Sequence, residues 1–344
     1  MEKEKQIANN LIEVSEMIAS GHFADIAPAI QELIRLHPDW VDERLEAEIS
    51  IIEKQIEYKM QLRDWDYYRM MKLVYQYCLK LYGTDEICCS DMVKGYENSD
   101  KRIVDDMPDK DVIWWCWLQG LDQAPEVVKA CYRSLERLGK KIVVITENNM
   151  MDYVSFPNWI IEGWKVGRID RTHFSDLIRL ELLTSRGGTW IDSTVFCTDA
   201  NKILDVLQHT YLFCFGSVMK DSVSECMRYD NWFLHCSKPS RILNETKNML
   251  YAYWKQEKEL KHYFLFQLIF MIACERNPEE RRGIPLYSNE PAHILQLEMY
   301  EQFSQQRWDQ ICDMTGIHKL TYKIDPSKEV NGTMLDHVLK FGIN

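Results

Sequence analysis

The sequence lacks the motifs that mark several large enzyme classes. Its 344 residues contain no G-x-S-x-G, no H-E-x-x-H, no G-x-x-x-x-G-K-[ST] and no G-x-G-x-x-G. The first two motifs present a nucleophile or bind zinc, and the last two hold phosphates on a glycine-rich loop. Their absence excludes most hydrolases, P-loop kinases and dehydrogenases.

Cysteines are numerous, but they do not occur in metal-binding or disulfide-scaffold patterns. None of the eleven forms a C-x-x-C pair, and Cys88 and Cys89 are adjacent, a spacing that scaffold disulfides rarely use. The others are scattered among apolar residues, which predicts buried thiols in a reducing compartment. The paired ligand spacing of a structural zinc site is missing.

The chain has little that suggests a membrane span or an export signal. Its longest apolar run, Tyr263 to Cys274, is about half the roughly 20 residues that a span needs, so it predicts a buried helix. The charged N-terminus carries no apolar signal segment. These features predict a cytoplasmic protein, with peripheral contact at the inner face of the membrane left open.

Positive charge is also scarce. The 41 Lys and Arg residues stand against 53 Asp and Glu, which gives a net charge of −12. Nucleic-acid binding needs a basic surface, so the sequence argues against that function. A local basic pocket for one diphosphate stays open.

The chain begins with a charge-rich region in which helices are predicted. Apolar residues recur at helical spacing across residues 1–104, and the longest of these segments ends at Gly83. We expect a helical hairpin or small bundle with a solvated polar face, and partner binding is the alternative. A second domain is predicted at 105–330, after a polar linker, and residues 331–344 form a C-terminal tail.

The second region alternates predicted strands and helices. Buried strands are predicted in "DVIWWCWLQG", "KKIVVITE", "TWIDSTVF" and "HTYLFCFGS", and helices in "APEVVKACYRSLERLG" and "RTHFSDLIRLELLTSRGG". Thr172 is the expected N-cap of the second helix and Gly187 its C-terminal stop. This order predicts parallel strands with crossover helices. Beyond residue 230 the strand pattern weakens, and two helices and the loop "ERNPEERRGIP" are predicted.

Three charged residues are expected to meet at one edge of this sheet. Asp176 and Arg179 share a helix face between apolar neighbours, and Asp192 lies late in the next predicted strand. Ligands of such sheets bind beyond the carboxyl ends of the strands. An exposed ion pair worth under ~1 kcal/mol is the alternative for the first two, but their apolar surroundings favour a site.

The pattern S-D-L-I-R-L-x-L-L-x-x-x-G-G-x-W-I-D-x-T resembles the sugar-transferring region of the capsular polysaccharide synthesis protein family. That family is related to glycosyltransferases with a DXD sugar-binding region. "VIWWCWLQGLDQAPEVVKACYRSL" is similar to the family's first strand and helix, and "DNWFLHCS", "HYFLFQLIF" and "IHKLTYK" are similar to its later segments. The resemblance covers roughly residues 105–325.

The resemblance implies a fold and an activity. The fold is a GT-A, Rossmann-like α/β domain for nucleotide-sugars, with a mostly parallel central sheet, next to the helical N-terminal region. The activity is a hexosyltransferase-like transfer of sugar from a nucleotide-diphosphate donor, a UDP-sugar being favoured, in capsule polysaccharide biosynthesis. The acceptor is a glycan or lipid-linked glycan, and the related families retain anomeric configuration.

The resemblance also implies a divalent cation, Mn²⁺ or Mg²⁺, that bridges the diphosphate to the protein. Asp192 corresponds to the first Asp of the DXD motif, but the second is Thr194, which supplies no charge. Asp199 is a substitute ligand to consider. His318 is a further metal ligand implied by the resemblance, and a structural histidine is the alternative.

The remaining site residues also follow from the resemblance. Asp176 and Arg179 match donor-binding positions and join Asp192 as catalytic candidates. Trp117 would stack on the nucleobase with Gln119 nearby, although a core role is equally open. Lys319 and Lys323 are the phosphate-binding candidates, and Asn231 and Trp232 are the candidates for the acceptor side. The segment "KDSVSECMRYD" is a candidate lid.

Two other functions fit the same residues. Thr194 is consistent with a degenerate metal site, and hence with a non-catalytic nucleotide-sugar-binding assembly protein. Toxin-like glycosyltransferases that act on protein share the S-D-x-x-R block and a helical region, so a protein acceptor is the other alternative.

Overall fold

The computed structural model describes residues 65–89, 107–217 and 226–341. The helices predicted before residue 65, most of the linker and most of the candidate lid lie outside these ranges. The predicted long helix is described from residue 65 and ends at Tyr82, directly before Gly83, as expected.

The described part of the chain alternates helices and strands. The helices are α1 (Trp65–Tyr82), α2 (Asp85–Cys88), α3 (Glu126–Leu135), α4 (Asn158–Lys165), α5 (Arg171–Ser185), α6 (Asn201–His209), α7 (Arg241–Gln256), α8 (Leu265–Arg276), α9 (Pro278–Arg282), α10 (Glu290–Leu297), α11 (Gln305–Met314) and α12 (Met334–Lys340). The strands are β1 (Ile113–Cys116), β2 (Ile142–Ile145), β3 (Gly188–Ile191), β4 (Val195–Cys197), β5 (Leu212–Gly216), β6 (Tyr229–Cys236) and β7 (Ile317–Lys319).

Within the described residues, five strands form the central sheet in the order β2-β1-β3-β6-β5. Strand β1 pairs in parallel with β2 and β3, whereas β6 runs antiparallel to both β3 and β5. Four strands therefore share one direction, which confirms the predicted mixed α/β class with a mostly parallel sheet. A separate two-stranded sheet pairs β4 with β7 in antiparallel register.

The central sheet is buried on both faces. Trp114 and Trp115 are adjacent on β1 and point to opposite faces, as alternating strand residues do, and both are at most 1% exposed. One face packs against α5, α7 and α8, and the other packs against α3 and α6. A third apolar cluster joins α3, β4, α10, α11 and α12. Burial of these apolar side chains makes the main favourable contribution to the free energy of folding.

The glycine pair before β3 is required by its surroundings. Gly187 and Gly188 have φ of 74° and 99°, values that residues with a side chain rarely adopt. A Cβ at Gly187 would lie 2.4 Å from Met107 Cβ, and one at Gly188 would lie 2.6 Å from the Val112 carbonyl oxygen. The pair therefore ends α5 and turns the chain into β3 in space that no larger residue fits.

Four local predictions differ from the structure. The N-cap of α5 is Asp170, whose carboxylate accepts from the His173 amide, so the prediction of Thr172 is wrong. The predicted strand "TWIDSTVF" is two strands, β3 and β4, separated by a turn. Strand β6 was not predicted, because its alternation of buried and partly exposed residues is irregular. The predicted loop at 275–285 contains the short helix α9.

The apolar run around residues 263–274 forms the buried helix α8, as predicted. Among the helices described, none combines the length and hydrophobicity required to cross a bilayer. All eleven cysteines fall within the described ranges and carry free thiols, which agrees with the predicted absence of scaffold disulfides. Helix α12 packs into the third cluster through Met334 and Leu335.

Candidate functional site

A cleft of about 480 Å³ opens beyond the carboxyl ends of β1 and β3. It lies where ligands bind in open α/β sheets. Its walls come from the chain after β1, from the first turns of α5, from the turn after β3 and from β7 with the segment that follows. The structure therefore brings distant parts of the sequence to the edge that the sequence predicted.

The cleft is locally positive in an acidic chain. Among its described lining residues, the cations are Arg171, Lys319 and Lys323, and the only carboxylate is Asp192. The first turn of α5 also faces the cleft through Arg171 and Thr172, and a helix N-terminus adds positive partial charge. The cleft is thus suited to a small anion.

Asp192 is fixed at the end of β3 by main-chain and side-chain contacts. Its amide donates to the Trp232 carbonyl on β6 at 2.8 Å, which places the residue directly after the last pair of the sheet. Its Oδ1 accepts from Arg179 and from the Trp190 indole, each at 2.9 Å. Its Oδ2 accepts from Lys319 Nζ at 3.2 Å. The side chain is 26% exposed, so this carboxylate reaches the cleft.

Arg179 links Asp192 to the interior. One guanidinium nitrogen donates to Asp176 Oδ1 at 2.6 Å while another donates to Asp192. The guanidinium also lies 4.8 Å from the Trp190 ring centre and 5.4 Å from that of Phe266. These aromatic contacts and ion pairs hold the cation in one position, and its side chain is 3% exposed.

Asp176 is held from a second direction by β6 and α8. The Asn231 side-chain amide donates to Asp176 Oδ1 at 2.8 Å, and Gln267 donates to Asn231 Oδ1 at 3.1 Å. The structure therefore places Asn231 behind Asp176 and in hydrogen-bond contact with it. We name the set Asp176, Arg179, Asp192, Asn231 and Lys319 the cleft network.

The two carboxyl groups of the cleft network are driven in opposite directions. Burial raises the pKa of Asp176 by more than Arg179 lowers it. Burial also acts to raise the pKa of Asp192, but Lys319 and Arg179 outweigh it, so that pKa is lowered. Asp192 is therefore the stronger acid and carries its charge at the cleft. Such divergence between neighbouring groups is typical of functional sites.

Lys319 bridges Asp192 and Thr194, the first and last residues of the D-x-T turn. Its ammonium donates to Thr194 Oγ1 at 2.5 Å as well as to Asp192 Oδ2. The Leu320 amide donates to the Thr194 carbonyl at 2.8 Å, so β7 and the turn are also tied through the main chain. Lys323 is exposed at the same cleft.

The residues present do not fit the implied divalent cation. No group of three or more His, Cys, Asp or Glu in the described ranges could hold a metal ion. Asp192 is the only carboxylate at the D-x-T turn, and both of its oxygens accept hydrogen bonds from cations. Mn²⁺ and Mg²⁺ prefer several oxygen ligands, mainly carboxylates and water.

Three further candidates from the sequence, His318, Asp199 and Trp232, have side chains that neither line the cleft nor join the cleft network. His318 is fully buried, and its Nε2 lies 2.9 Å from Thr198 Oγ1. Burial lowers the pKa of His318 to about 3, so the ring is neutral. Asp199 accepts from the Asn201 amide at the start of α6. The Trp232 indole is 4% exposed and stacks on Phe215, so its link to Asp192 is its carbonyl.

Trp117 and Gln119 lie at the cleft, as expected. Trp117 packs edge-to-face against Tyr322, with ring centres 5.5 Å apart. Its indole nitrogen is buried without a hydrogen-bond partner. Gln119 is exposed and also lines an adjoining cleft of about 480 Å³. Stacking of Trp117 on a base stays a prediction.

Sequence reasoning missed several residues that shape the site. Trp190 donates to Asp192, Gln267 orients Asn231, and the exposed aromatic residues Tyr263 and Tyr322 line the cleft at 58% and 46% exposure. The i, i+2 spacing of Trp190 and Asp192 on one strand face was an available signal. Gln267 offered another, as a polar residue inside an apolar run.

A family model described as "Capsular polysaccharide synthesis protein" matches residues 72–338. None of the curated proteins matches the chain. The matched range includes every residue of the cleft network and most of the described structure.

Proposed function

Since the chain belongs to the capsular polysaccharide synthesis protein family, we propose that it is a glycosyltransferase of the GT-A type. It transfers a sugar from a nucleoside diphosphate donor to a hydroxyl group of a glycan or lipid-linked glycan. The observation that carries the proposal is the positively charged cleft, at whose floor Asp192 is held by Arg179 and Lys319.

The cleft suits the donor in size and charge. A volume of about 480 Å³ lies within the range of small-molecule sites. The diphosphate would meet Arg171, Lys319 and Lys323 together with the first turn of α5, all of which favour negative charge. Such contacts explain how an acidic chain holds an anionic ligand.

The sugar and base would meet other walls of the cleft. The Asp192 side chain is 26% exposed, and its Oδ2 has a lone pair left for a sugar hydroxyl beyond its bond to Lys319. Exposed aromatic faces of Tyr263 and Tyr322 can stack on a sugar or base ring, and Trp117 adjoins Tyr322. A UDP-sugar remains the favoured donor by resemblance.

The transfer requires one bond to break and one to form. The bond between the anomeric carbon and the diphosphate oxygen breaks, and its electron pair leaves with the nucleoside diphosphate. The acceptor hydroxyl oxygen bonds to the anomeric carbon and releases one proton. The cations of the cleft stabilise charge that develops on the leaving oxygen, which is a large contribution when groups are preorganised. Retention of configuration stays a prediction.

The test is release of free nucleotide from a panel of UDP-, GDP- and CMP-sugars, with and without membrane extract as acceptor. Each reaction is run in EDTA and in Mn²⁺. We expect turnover with at least one donor and its loss in Asp192→Asn. No turnover with any donor in any condition would contradict the proposal.

A non-catalytic binding protein is the second candidate, and the neutral Thr194 in the D-x-T turn favours it. Its expected signature is saturable binding of a nucleotide-sugar without release of free nucleotide. Label that appears in protein instead of glycan would indicate a protein acceptor.

A further inference from the structure

We infer that the Lys319 ammonium takes the place of the divalent cation in this site, so that the protein binds nucleoside diphosphates without metal. The inference rests on the proposed function, because it concerns how the same cleft holds the donor. It follows from the position of the Lys319 ammonium between Asp192 and Thr194 of the D-x-T turn.

The position of Lys319 coincides with the position that a bridging cation would need. Its Nζ lies 3.2 Å from Asp192 Oδ2 and 2.5 Å from Thr194 Oγ1, so it contacts one side-chain oxygen of each residue. Asp192 Oδ1 is already used by Arg179 and Trp190. Each oxygen of Asp192 therefore already accepts from at least one donor, and a metal on the remaining lone pair of Oδ2 would have to share that oxygen with the Lys319 ammonium.

The fold holds this ammonium in place. Strand β7 pairs with β4, and in that register Lys319 lies opposite Val195, one residue after Thr194. The Leu320 amide closes the pairing on the Thr194 carbonyl. The Lys319 side chain is 19% exposed and lines the cleft.

The balance of charge at the D-x-T turn also supports the replacement of a metal by Lys319. Two aspartates would offer two negative charges to a divalent cation. The D-x-T turn offers one, from Asp192, and Lys319 supplies one positive charge in return. Replacement of the second carboxylate by a hydroxyl and of the metal by an ammonium therefore leaves the local charge unchanged, while a divalent ion beside Arg179 and Lys319 would be repelled.

Lys319 would then act on the leaving group. When the bond between the anomeric carbon and the diphosphate oxygen breaks, the electron pair stays on that oxygen, and the ammonium donates a hydrogen bond to it. The acceptor oxygen forms the new bond and its proton passes to solvent. A lysine ammonium is a compact point charge with three donors, so it can bind phosphate while it keeps Asp192 in place.

The first experiment is calorimetric titration of UDP and GDP into the full chain, once in EDTA and once in MnCl₂. We expect the affinity for the preferred nucleotide to agree within about twofold between the two conditions, since Lys319 binds phosphate as a point charge and is part of the protein in both. Binding that requires Mn²⁺ would overturn the inference and leave the proposed function standing. Binding of neither nucleotide in either condition would overturn both.

The second experiment changes the bridging cation. Lys319→Met removes the charge and keeps most of the length, and we expect the affinity in EDTA to fall on the order of tenfold or more. Lys319→Arg keeps the charge and should recover part of the loss. Lys340→Met is the matched control, because Lys340 is 69% exposed and pairs with Asp336 away from the cleft. Equal affinities for wild type and Lys319→Met would overturn the inference.

The third experiment rebuilds the metal site. The double variant Thr194→Asp, Lys319→Met provides two carboxylates and removes the competing ammonium. We expect Mn²⁺ to increase its affinity for the nucleotide on the order of tenfold, a dependence absent from wild type. Thermal unfolding of each variant confirms that it is folded. A folded double variant that ignores Mn²⁺ while wild type responds to it would contradict the assignment of Lys319.

Discussion

Helix α5 contributes to two groups of charged side chains in the interior. One group reaches the cleft, and the other is enclosed between two helices. The first half of α5 contributes Asp176 and Arg179 to the cleft network. Its second half contributes Glu181 to what we name the α5–α7 cluster, in which Glu181 and Thr184 meet Lys247 and Tyr251 of α7. Lys247 Nζ lies 3.4 Å from Glu181 Oε1 and donates to Thr184 Oγ1 at 3.0 Å, and the Tyr251 hydroxyl donates to Glu181.

The comparison shows that buried charge alone does not mark a site. In the α5–α7 cluster, burial lowers the pKa of Lys247 and raises that of Tyr251, yet the group is enclosed between two helices. The cleft network has a similarly buried centre, but it ends in Asp192 and Lys319, whose side chains are 26% and 19% exposed at a cleft. Contact with a cavity therefore distinguishes the candidate site from the enclosed α5–α7 cluster.

The largest expected effect comes from removal of charge at the cleft end. Asp192→Asn should lower nucleotide-sugar turnover about 10³-fold, equivalent to about 4 kcal/mol, because it uncouples Lys319 and Arg179 from the position of the leaving group. The free energy of unfolding should change by only about 1 kcal/mol, since Arg179 keeps Asp176. Turnover and urea unfolding measure the two quantities.

The control for this change is Asp205→Asn, a carboxylate that is 82% exposed on α6. Both its turnover and its stability should match wild type. An Asp192→Asn protein with normal turnover would remove the functional distinction between the two groups of charge.

The same kind of change in the α5–α7 cluster should act on stability. Glu181→Gln leaves Lys247 buried without its carboxylate, and breaking such a pair costs about 3 kcal/mol of unfolding free energy. Turnover of the folded protein should stay within about twofold of wild type, a change of under about 0.5 kcal/mol. Glu126→Gln, in an exposed pair with Lys129, is the matched control and should cost under about 0.5 kcal/mol. A stable but inactive Glu181→Gln would show that this cluster also belongs to the site.

Acid should destabilise the protein through the buried His318, which lies on β7 next to Lys319 of the cleft network. The pKa of His318 is about 3 in the folded protein and about 6.5 when unfolded, so the unfolded chain binds the proton more readily between these values. Stability from this residue is complete above pH 6.5 and decreases as pH falls. We expect a loss of about 2 kcal/mol between pH 7 and pH 5.

The measurement is urea unfolding at pH 7 and pH 5 for wild type and His318→Gln, which cannot titrate. The variant should show a smaller decrease, whereas His209→Gln, at a position 73% exposed, should behave like wild type. An identical decrease in all three proteins would assign the acid sensitivity to other groups.

The sequence predicted the parts of the fold that depend on local pattern. Apolar runs and flanking glycines predicted β1, β2 and α8, because period and chain-breaking residues are local signals. Strand β6 was not predicted, since its first three positions, Tyr229 to Asn231, do not alternate cleanly between buried and exposed residues. Its partner β3 determines its pairing, and that information lies about forty residues away.

The sequence indicated the charged residues of the candidate site and Asn231, but not the supporting residues Trp190 and Gln267. Asp176, Arg179 and Asp192 stood out because carboxylates and arginines are rare in apolar segments. His318 looked equally suitable as a ligand, but strand alternation turns it away from Lys319 and into the core. Side-chain direction on a three-residue strand depends on the pairing of β4 and β7, which no local pattern encodes.

The smallest expected effect tests how far the cleft network extends into the core. Gln267→Leu keeps the packing of α8 but removes the donor to Asn231 Oδ1, a hydrogen bond worth about 1 kcal/mol. If Asn231 then orients Asp176 less well, turnover should fall about fivefold, which corresponds to about 1 kcal/mol. Gln305→Leu, which removes an exposed bond to Asp309, should leave turnover unchanged. A Gln267→Leu protein that loses stability but keeps its turnover would show that the cleft network ends at Asn231. Gln267 would then have a structural role, like the α5–α7 cluster.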